Sequence, residues 1–219
     1  MQRVILACVD PSANGRTAAG WAKDEARLRD LPLCVVRGWP PDLGEARVTV
    51  TGLGPNVEDT AAHAEALTCP LILVPDASAR SNRIGGVTLG IDARRPAGAA
   101  IDFAFESARL RGVRLHAVHA WELPSSAAGL PFAVPEEDRA TWEDHEVQLL
   151  SDALRPWRAK YPDVPVLRDV VLFTPSEALL HHCAHAALVV VGHGPGSAWG
   201  DTTRSLLRAG TCPVAVVPS

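Results

Sequence analysis

Two sets of residues in this chain of 219 residues have the types and positions that chemistry would need. The first are glycines that follow apolar runs: Gly192 and Gly194 after Ala187–Val191, with Gly200 and Asp201 a few positions on, and Gly52 and Gly54 after Arg47–Thr51. Glycine lets backbone N–H groups approach phosphate oxygens closely. A helix opening just beyond adds about half a positive charge at its N-terminus. The second are Asp10 and Asp92, each of which closes an apolar, β-branched run. In an open parallel sheet both features lie past the strand C-termini, where ligands bind. The chemistry they suggest is recognition of a phosphorylated ligand.

Other reactive side chains are less organised. His181, His182, Cys183 and His185 crowd one segment, and His181 and His185 stand at i,i+4 spacing, which suits a metal ion. Nothing nearby in sequence completes such a site, so these histidines read as solvated and no metal is assigned. His116 and His119 are three residues apart on a predicted strand, an odd spacing that sends them to opposite faces. Trp39 and Trp121 both end strands and are placed to flank a cleft or to pack. The chain carries no G-x4-GK[ST], G-x-S-x-G or H-E-x-x-H motif, and no base is positioned for Ser197. No catalytic residue is assigned, and the protein is expected not to be an enzyme.

The elements that must carry these residues come from an internal repeat. Residues 67–75 read LTCPLILVP and residues 210–218 read GTCPVAVVP, each preceded by a Gly-rich turn at nearly the same distance. In the second copy, strands are predicted at 84–92, 113–121, 166–173, 187–192 and 213–218, with helices at 97–111, roughly 136–160, from Thr174 to His185, and 201–209. Thr174-Pro175-Ser176-Glu177 reads as an N-cap with proline in the first turn. In the long helix Trp142, Val147, Leu150 and Leu154 are predicted to face the core, with Pro156 kinking or ending it. The first copy gives strands at 3–9, 31–39, 47–51 and 70–75 and helices at 15–30 and 57–67. It lacks the counterpart of 136–185. Only about seven residues join its second and third strands, short for a parallel crossover, so residues 40–50 are not assigned a regular path. Strands alternating with helices imply an α/β fold with parallel sheets. The division expected is 1–76, a linker at 77–83, and 84–219.

Composition bounds the function. A net charge of −4 argues against general nucleic-acid binding. No apolar run reaches the length of a membrane span, and the N-terminus reads as a strand instead of a signal peptide. Five cysteines, an odd number without framework spacing, suit a reducing cytoplasm and read as buried or semi-buried hydrophobes.

Taken together, a strand ending in Asp92, a strand ending His119-Ala120-Trp121, and the stretch Val189–Pro218 resemble a universal stress protein domain. The resemblance covers 84–219 and, in reduced form, 1–76. It implies a five-stranded, adenine-nucleotide-α-hydrolase-like (Rossmann-like) parallel sheet in the second copy and a truncated one in the first. It also implies that residues 70–74 and 213–217 meet as the family's dimer strands do, within one polypeptide. A further homodimer or a protein partner remains open. In ATP-binding members, an Asp after strand one, a residue ending strand two and a G-x2-G-x9-G-[ST] loop hold the nucleotide. Carried over residue by residue, these become Asp92, Ala120, Gly192, Gly194 and Gly200, with Asp201 standing where the family has Ser or Thr. The loop departs from the pattern: Gly192 to Gly200 is eight positions against about thirteen, and residue 195 is proline, which lacks an N–H. Asp201 is expected to N-cap its helix and to occupy the anion site, repelling phosphate; Glu58 and Asp59 repeat that pattern in the first copy. The sequence therefore reads as a cytosolic regulatory module with a degenerate nucleotide site and no firm cofactor. The alternative is an ATP-binding member using the 84–219 cleft, and a metal- or redox-responsive sensor built on the His/Cys helix is the remote third.

Overall fold

In the computed structural model, which describes residues 3–40, 46–54, 56–64, 68–75, 85–123, 134–194 and 199–219, the Val/Ile/Leu runs form strands β1 (Val4–Val9), β2 (Leu33–Arg37), β3 (Ala46–Gly52), β4 (Leu71–Val74), β5 (Val87–Gly90), β6 (Leu115–Ala120), β7 (Val166–Val171), β8 (Leu188–His193) and β9 (Val214–Pro218). The helices among the described residues are α1 (Ala13–Arg29), α2 (Val57–Ala64), α3 (Gly98–Arg111), α4 (Glu136–Lys160), α5 (Pro175–Cys183) and α6 (Asp201–Ala209). All nine strands join one sheet in the order β2-β1-β3-β4-β9-β8-β5-β6-β7. Every neighbouring pair is parallel except β4 and β9, which run antiparallel with Leu71 opposite Val216, Ile72 opposite Ala215 and Leu73 opposite Val214. The two TCP-headed strands of the repeat thus pair with each other. The linker predicted at 77–83 lies outside the described residues.

β3 pairs in parallel with β1, with one register shift between Val4 and Ile5 and even pairing from Ile5 to Cys8, so the short spacing between the second and third strands does not prevent the pairing. The connection through 41–45 lies outside the described residues. β2 takes one edge and is solvated, with Leu33 and Val35 exposed; β7 takes the other.

Continuous apolar strands need cover on both faces. On one face Ala18 and Ala22 of α1, Phe105 of α3 and Leu150 and Leu154 of α4 pack on Ile5, Val48, Leu89 and Leu115. On the other, Val57, Leu179 and Leu206, from α2, α5 and α6, pack on Leu71, Val189 and Val216. The core stripe of α4 runs through Glu146, Leu150 and Leu154. Val147, predicted to face the core, is exposed, because a step of four from Leu150 reaches Glu146. Pro156 does not end α4, which continues to Lys160. Helix α5 stops at Cys183, so His185 lies beyond it and the i,i+4 pair is not a helical one. Of the cysteines, Cys34 is exposed on the β2 edge, against expectation, and the other four are buried; the Cys183 and Cys212 sulfurs are 2.6 Å apart.

The halves are tied together beside the β4–β9 pair on both faces. Glu25 of α1 is 1% exposed. Its carboxylate accepts from Arg29 at 2.6 Å and from Arg111 of α3. Arg29 also reaches Glu106 at 2.5 Å and Ser107 at 3.1 Å, both on α3. On the opposite face Glu58 of α2 pairs with Arg208 at 2.9 Å and Arg204 at 3.3 Å on α6. Glu58 therefore serves this contact between halves instead of filling an anion site.

A buried charge stripped of its partner is costly. Glu25→Ala should lower the unfolding free energy by about 3–5 kcal/mol. Asp24→Ala, which removes the solvated Arg27–Asp24 pair at 3.1 Å, should cost under about 1 kcal/mol. Urea unfolding of the two variants side by side measures the difference; equal midpoints would show that the buried network is energetically neutral.

At the start of α5, Thr174 and Glu177 form a capping box: the Thr174 hydroxyl donates to the carboxylate at 2.6 Å and accepts the Glu177 N–H at 3.4 Å. The hydroxyl, then the Thr174 N–H, hold the Glu177 carboxyl below the ordinary glutamate range. A group whose pKa is depressed on folding adds stability that is full above its unfolded value, about 4.3, and is lost as pH falls through the lower folded value. The urea midpoint should decline through this acid window, and the decline should be shallower in Thr174→Ala.

Candidate functional site

A cleft of about 1050 Å³ opens beyond the C-terminal ends of β5, β6 and β8, where parallel sheets bind ligands. Asp92, Ala120, Gly192 and Gly194 all line it, though they come from three separate parts of the chain. Asp92 is exposed; its carboxylate accepts the Arg94 N–H at 3.0 Å and faces Arg95 Nε at 3.3 Å. Ala120 ends β6, and a buried Trp121 follows it into the wall.

The glycines differ in what they do. A Cβ on Gly192 would lie 2.7 Å from the Ala97 Cβ. Its bareness lets the start of α3 sit against the end of β8. Gly200 has open space around its Cα and is itself the N-cap of α6. Asp201 is therefore not the cap but the first helical residue. It is exposed, and neither it nor Gly200 lines the cleft. The hydroxyl-bearing Thr202 and Thr203 of the same turn do. Residues 195–198 of the Gly-rich turn, including Pro195 and Ser197, lie outside the described residues.

Cationic character comes from groups the sequence reading passed over. Arg94 and Arg95 line the cleft, two and three positions after Asp92. Ala97, the N-cap of α3, supplies no capping side chain, so first-turn N–H groups of α3 face the cleft wall without a side-chain acceptor from the cap. The doublet Arg94-Arg95 and the doublet Thr202-Thr203 were visible as strings; only their convergence was hidden.

His119 forms part of the wall and is buried. Its Nδ1 lies 3.1 Å from the Ile91 carbonyl and its Nε2 3.0 Å from Glu146 Oε2. Glu146, buried on α4, also takes a hydrogen bond from Arg94. Both ring nitrogens are thus engaged, and the ring braces the Ile91–Ala93 turn that carries Asp92. His116 points to the other face, as its odd spacing from His119 requires, and meets His182 of α5 with ring centroids 4.4 Å apart. Burial, followed by the neighbouring His116, holds the His182 imidazole below the ordinary histidine range, with Asp169 opposing.

In the first half the corresponding glycine and aspartate are engaged by their own neighbours. A Cβ on Gly52 would approach the Asn14 main chain at 2.7 Å, and the Asn14 amide donates to the Leu53 carbonyl at 2.6 Å. Asp10 turns back on its own chain, accepting the Ser12 N–H at 2.9 Å and the Ser12 hydroxyl. That hydroxyl is the main cause holding its carboxyl below the usual range.

The fold and cleft define an α/β protein with an open cleft at the strand C-termini of its second half. Residues 85–218 match the universal stress protein family profile, and the chain belongs to that family. Universal stress protein Rv1996 of Mycobacterium tuberculosis (strain H37Rv) is 38% identical over 138 residues, 59% of this chain and 43% of that one. Universal stress protein Rv2005c of the same strain is 36% identical over 162 residues, 68% of this chain and 51% of that one. The chain thus spans about half the length of these curated relatives. A universal stress protein of Archaeoglobus fulgidus DSM 4304 shares the fold over 100% of this chain and 86% of its own, with a TM-score of 0.55 at 12% identity. No helix among the described residues is long and apolar enough to cross a membrane.

If Gly192 serves close packing, adding one methyl should strain the α3–β8 contact. Gly192→Ala should destabilise by about 1–3 kcal/mol, since Ala97 has no flexible end to move aside. Gly54→Ala, with nothing within 4 Å of the new atom, should stay within about 0.5 kcal/mol. Thermal and urea unfolding of both variants checks this.

Proposed function

We propose that this protein is a ligand-responsive regulatory module whose second-half cleft binds an adenine nucleotide, and that it performs no chemistry on it. The observation that carries the reading is convergence. Asp92, Ala120, Gly192 and Gly194 share one cleft with Arg94, Arg95 and the side-chain-uncapped start of α3. Its volume suits a ligand of nucleotide size. An apolar wall at Ala120 and Trp121 fits a base, Asp92 a ribose hydroxyl or ring amine, and the arginines with Thr202 and Thr203 the phosphates. His119 has both nitrogens occupied and is a positioning residue, which supports a binding role over a catalytic one.

The expected repulsion from Asp201 loses weight, because that side chain lies outside the cleft. The shortened span from Gly192 to Gly200 still favours a second reading, a scaffold module whose nucleotide site has decayed. In both readings the antiparallel β4–β9 pair acts as an internal counterpart of a two-subunit interface, with 1–76 a reduced copy and 84–219 the full one, serving a stress-response role in the cytoplasm.

Denaturing the purified protein and analysing the released small molecules separates the two. Stoichiometric adenine nucleotide, or saturable Mg-ATP or AMP binding by calorimetry that weakens at least about 10-fold in Arg94→Ala and Asp92→Ala, supports the nucleotide reading. No release and no saturable binding would leave the scaffold reading.

A further inference from the structure

The geometry points to a divalent transition-metal site, of the kind that takes zinc, formed by His116 of β6, Asp169 of β7 and His182 of α5. The three come from separate elements but converge. Nε2 of His116 lies 3.4 Å and Nε2 of His182 lies 3.6 Å from the same Asp169 oxygen. One ligand atom from each residue lies within 4.8 Å of the others. Those two spacings are long for strong hydrogen bonds. They are close to what a tetrahedral ion demands, since metal bonds of about 2.0–2.1 Å put neighbouring donors about 3.3–3.4 Å apart. The three donor atoms stand close enough together for one ion to engage them all.

A second observation is independent of the distances. Nε2 of His116 is buried with no hydrogen-bond partner. A buried donor or acceptor left unmade is costly, and an ion at the common centre would satisfy it. The donor set suits the ion: two imidazoles and one carboxylate are borderline and hard ligands that zinc accepts, with the partly exposed Asp169 side leaving a position for water.

The register explains why the site forms. His116 and Val118 share a strand face, and Asp169 is the cross-strand partner of Val118. That face is the one covered by α5, whose Leu179 packs there with Val118. An ion held by all three would clip the last turn of α5 to the edge strand β7. The proposal stands on these residues alone and survives if the cleft proves empty of nucleotide.

The full chain, stripped with EDTA and dialysed, would be titrated calorimetrically with zinc sulfate alone. One saturable equivalent is expected. His116→Ala and His182→Ala should each weaken it at least about 10-fold, and His181→Ala, a change at an exposed neighbour, should leave it unchanged. Asp169→Asn, at a partly exposed position, supplies a third ligand variant should a histidine variant misfold. Cobalt(II) in the wild-type chain should give visible d–d bands without thiolate charge-transfer absorption. Absence of saturable zinc uptake, unchanged affinity in the ligand variants, or a thiolate spectrum pointing to the cysteines would overturn the assignment.

Discussion

The antiparallel pairing of β4 with β9 is the constraint on which the rest of the molecule depends. A parallel sheet can be extended only by another crossover or by a strand running the other way. Here two short apolar strands, Leu71–Val74 and Val214–Pro218, meet edge to edge and merge four strands with five. Each removes the other's unpaired edge, the usual point of unwanted association. Both are nearly completely buried, so the joint is at once a hydrogen-bonded ladder and the middle of the core.

Once the strands meet, their covering helices must meet too, and charge decides how. On one face Glu25 stands between Arg29 and Arg111 while Glu106 receives Arg29 and Arg47. On the other, Glu58 receives Arg204 and Arg208. The Glu58 pairs are solvated, whereas the Glu25 pairs are buried and offset a large desolvation cost with good geometry. Their value here lies in alignment: the fork of Arg29 fixes α1 against α3 in one register. The outer edges lack such cover, and Leu33 and Val35 on β2 remain in contact with solvent.

The two sides of the β4–β9 pair differ at the strand ends. In the second half, α3 begins without a capping side chain, and Gly192 and Gly194 line the cleft with Ala97. In the first, Ser12 caps α1 and Asn14 closes onto Leu53, so the corresponding glycine packs against backbone. Ser12 supplies α1 with the side-chain cap that α3 lacks, while the carbonyl matching that of Leu53, His193's, is met by the Ser219 N–H. The same economy appears at His119, whose two nitrogens are spent on holding the turn that presents Asp92.

Much of this was legible in the chain itself. Apolar runs of four to eight residues gave the strands, the doubled TCP-headed segments marked the pair that would meet, and Thr174-Pro175-Ser176-Glu177 announced its capping box, because these depend on local periodicity and side-chain reach along one segment. Asp92, Ala120, Gly192 and Gly194 could be nominated as cleft residues from strand ends and family resemblance. What the chain could not show was which polar residues would be buried, or against whom. Glu25 and Glu146 carry no local mark of burial, since the partners Arg111 and Arg94 come from other elements, and Asp201 read as a cap and an anion mimic, whereas Gly200 is the cap and Asp201 is exposed. His116, Asp169 and His182 lie far apart in sequence and converge only when β6, β7 and α5 are stacked. Backbone periodicity is a short-range property and is written locally; the partnership of charges and ligands is set by distances between elements, and those exist only after the sheet has closed.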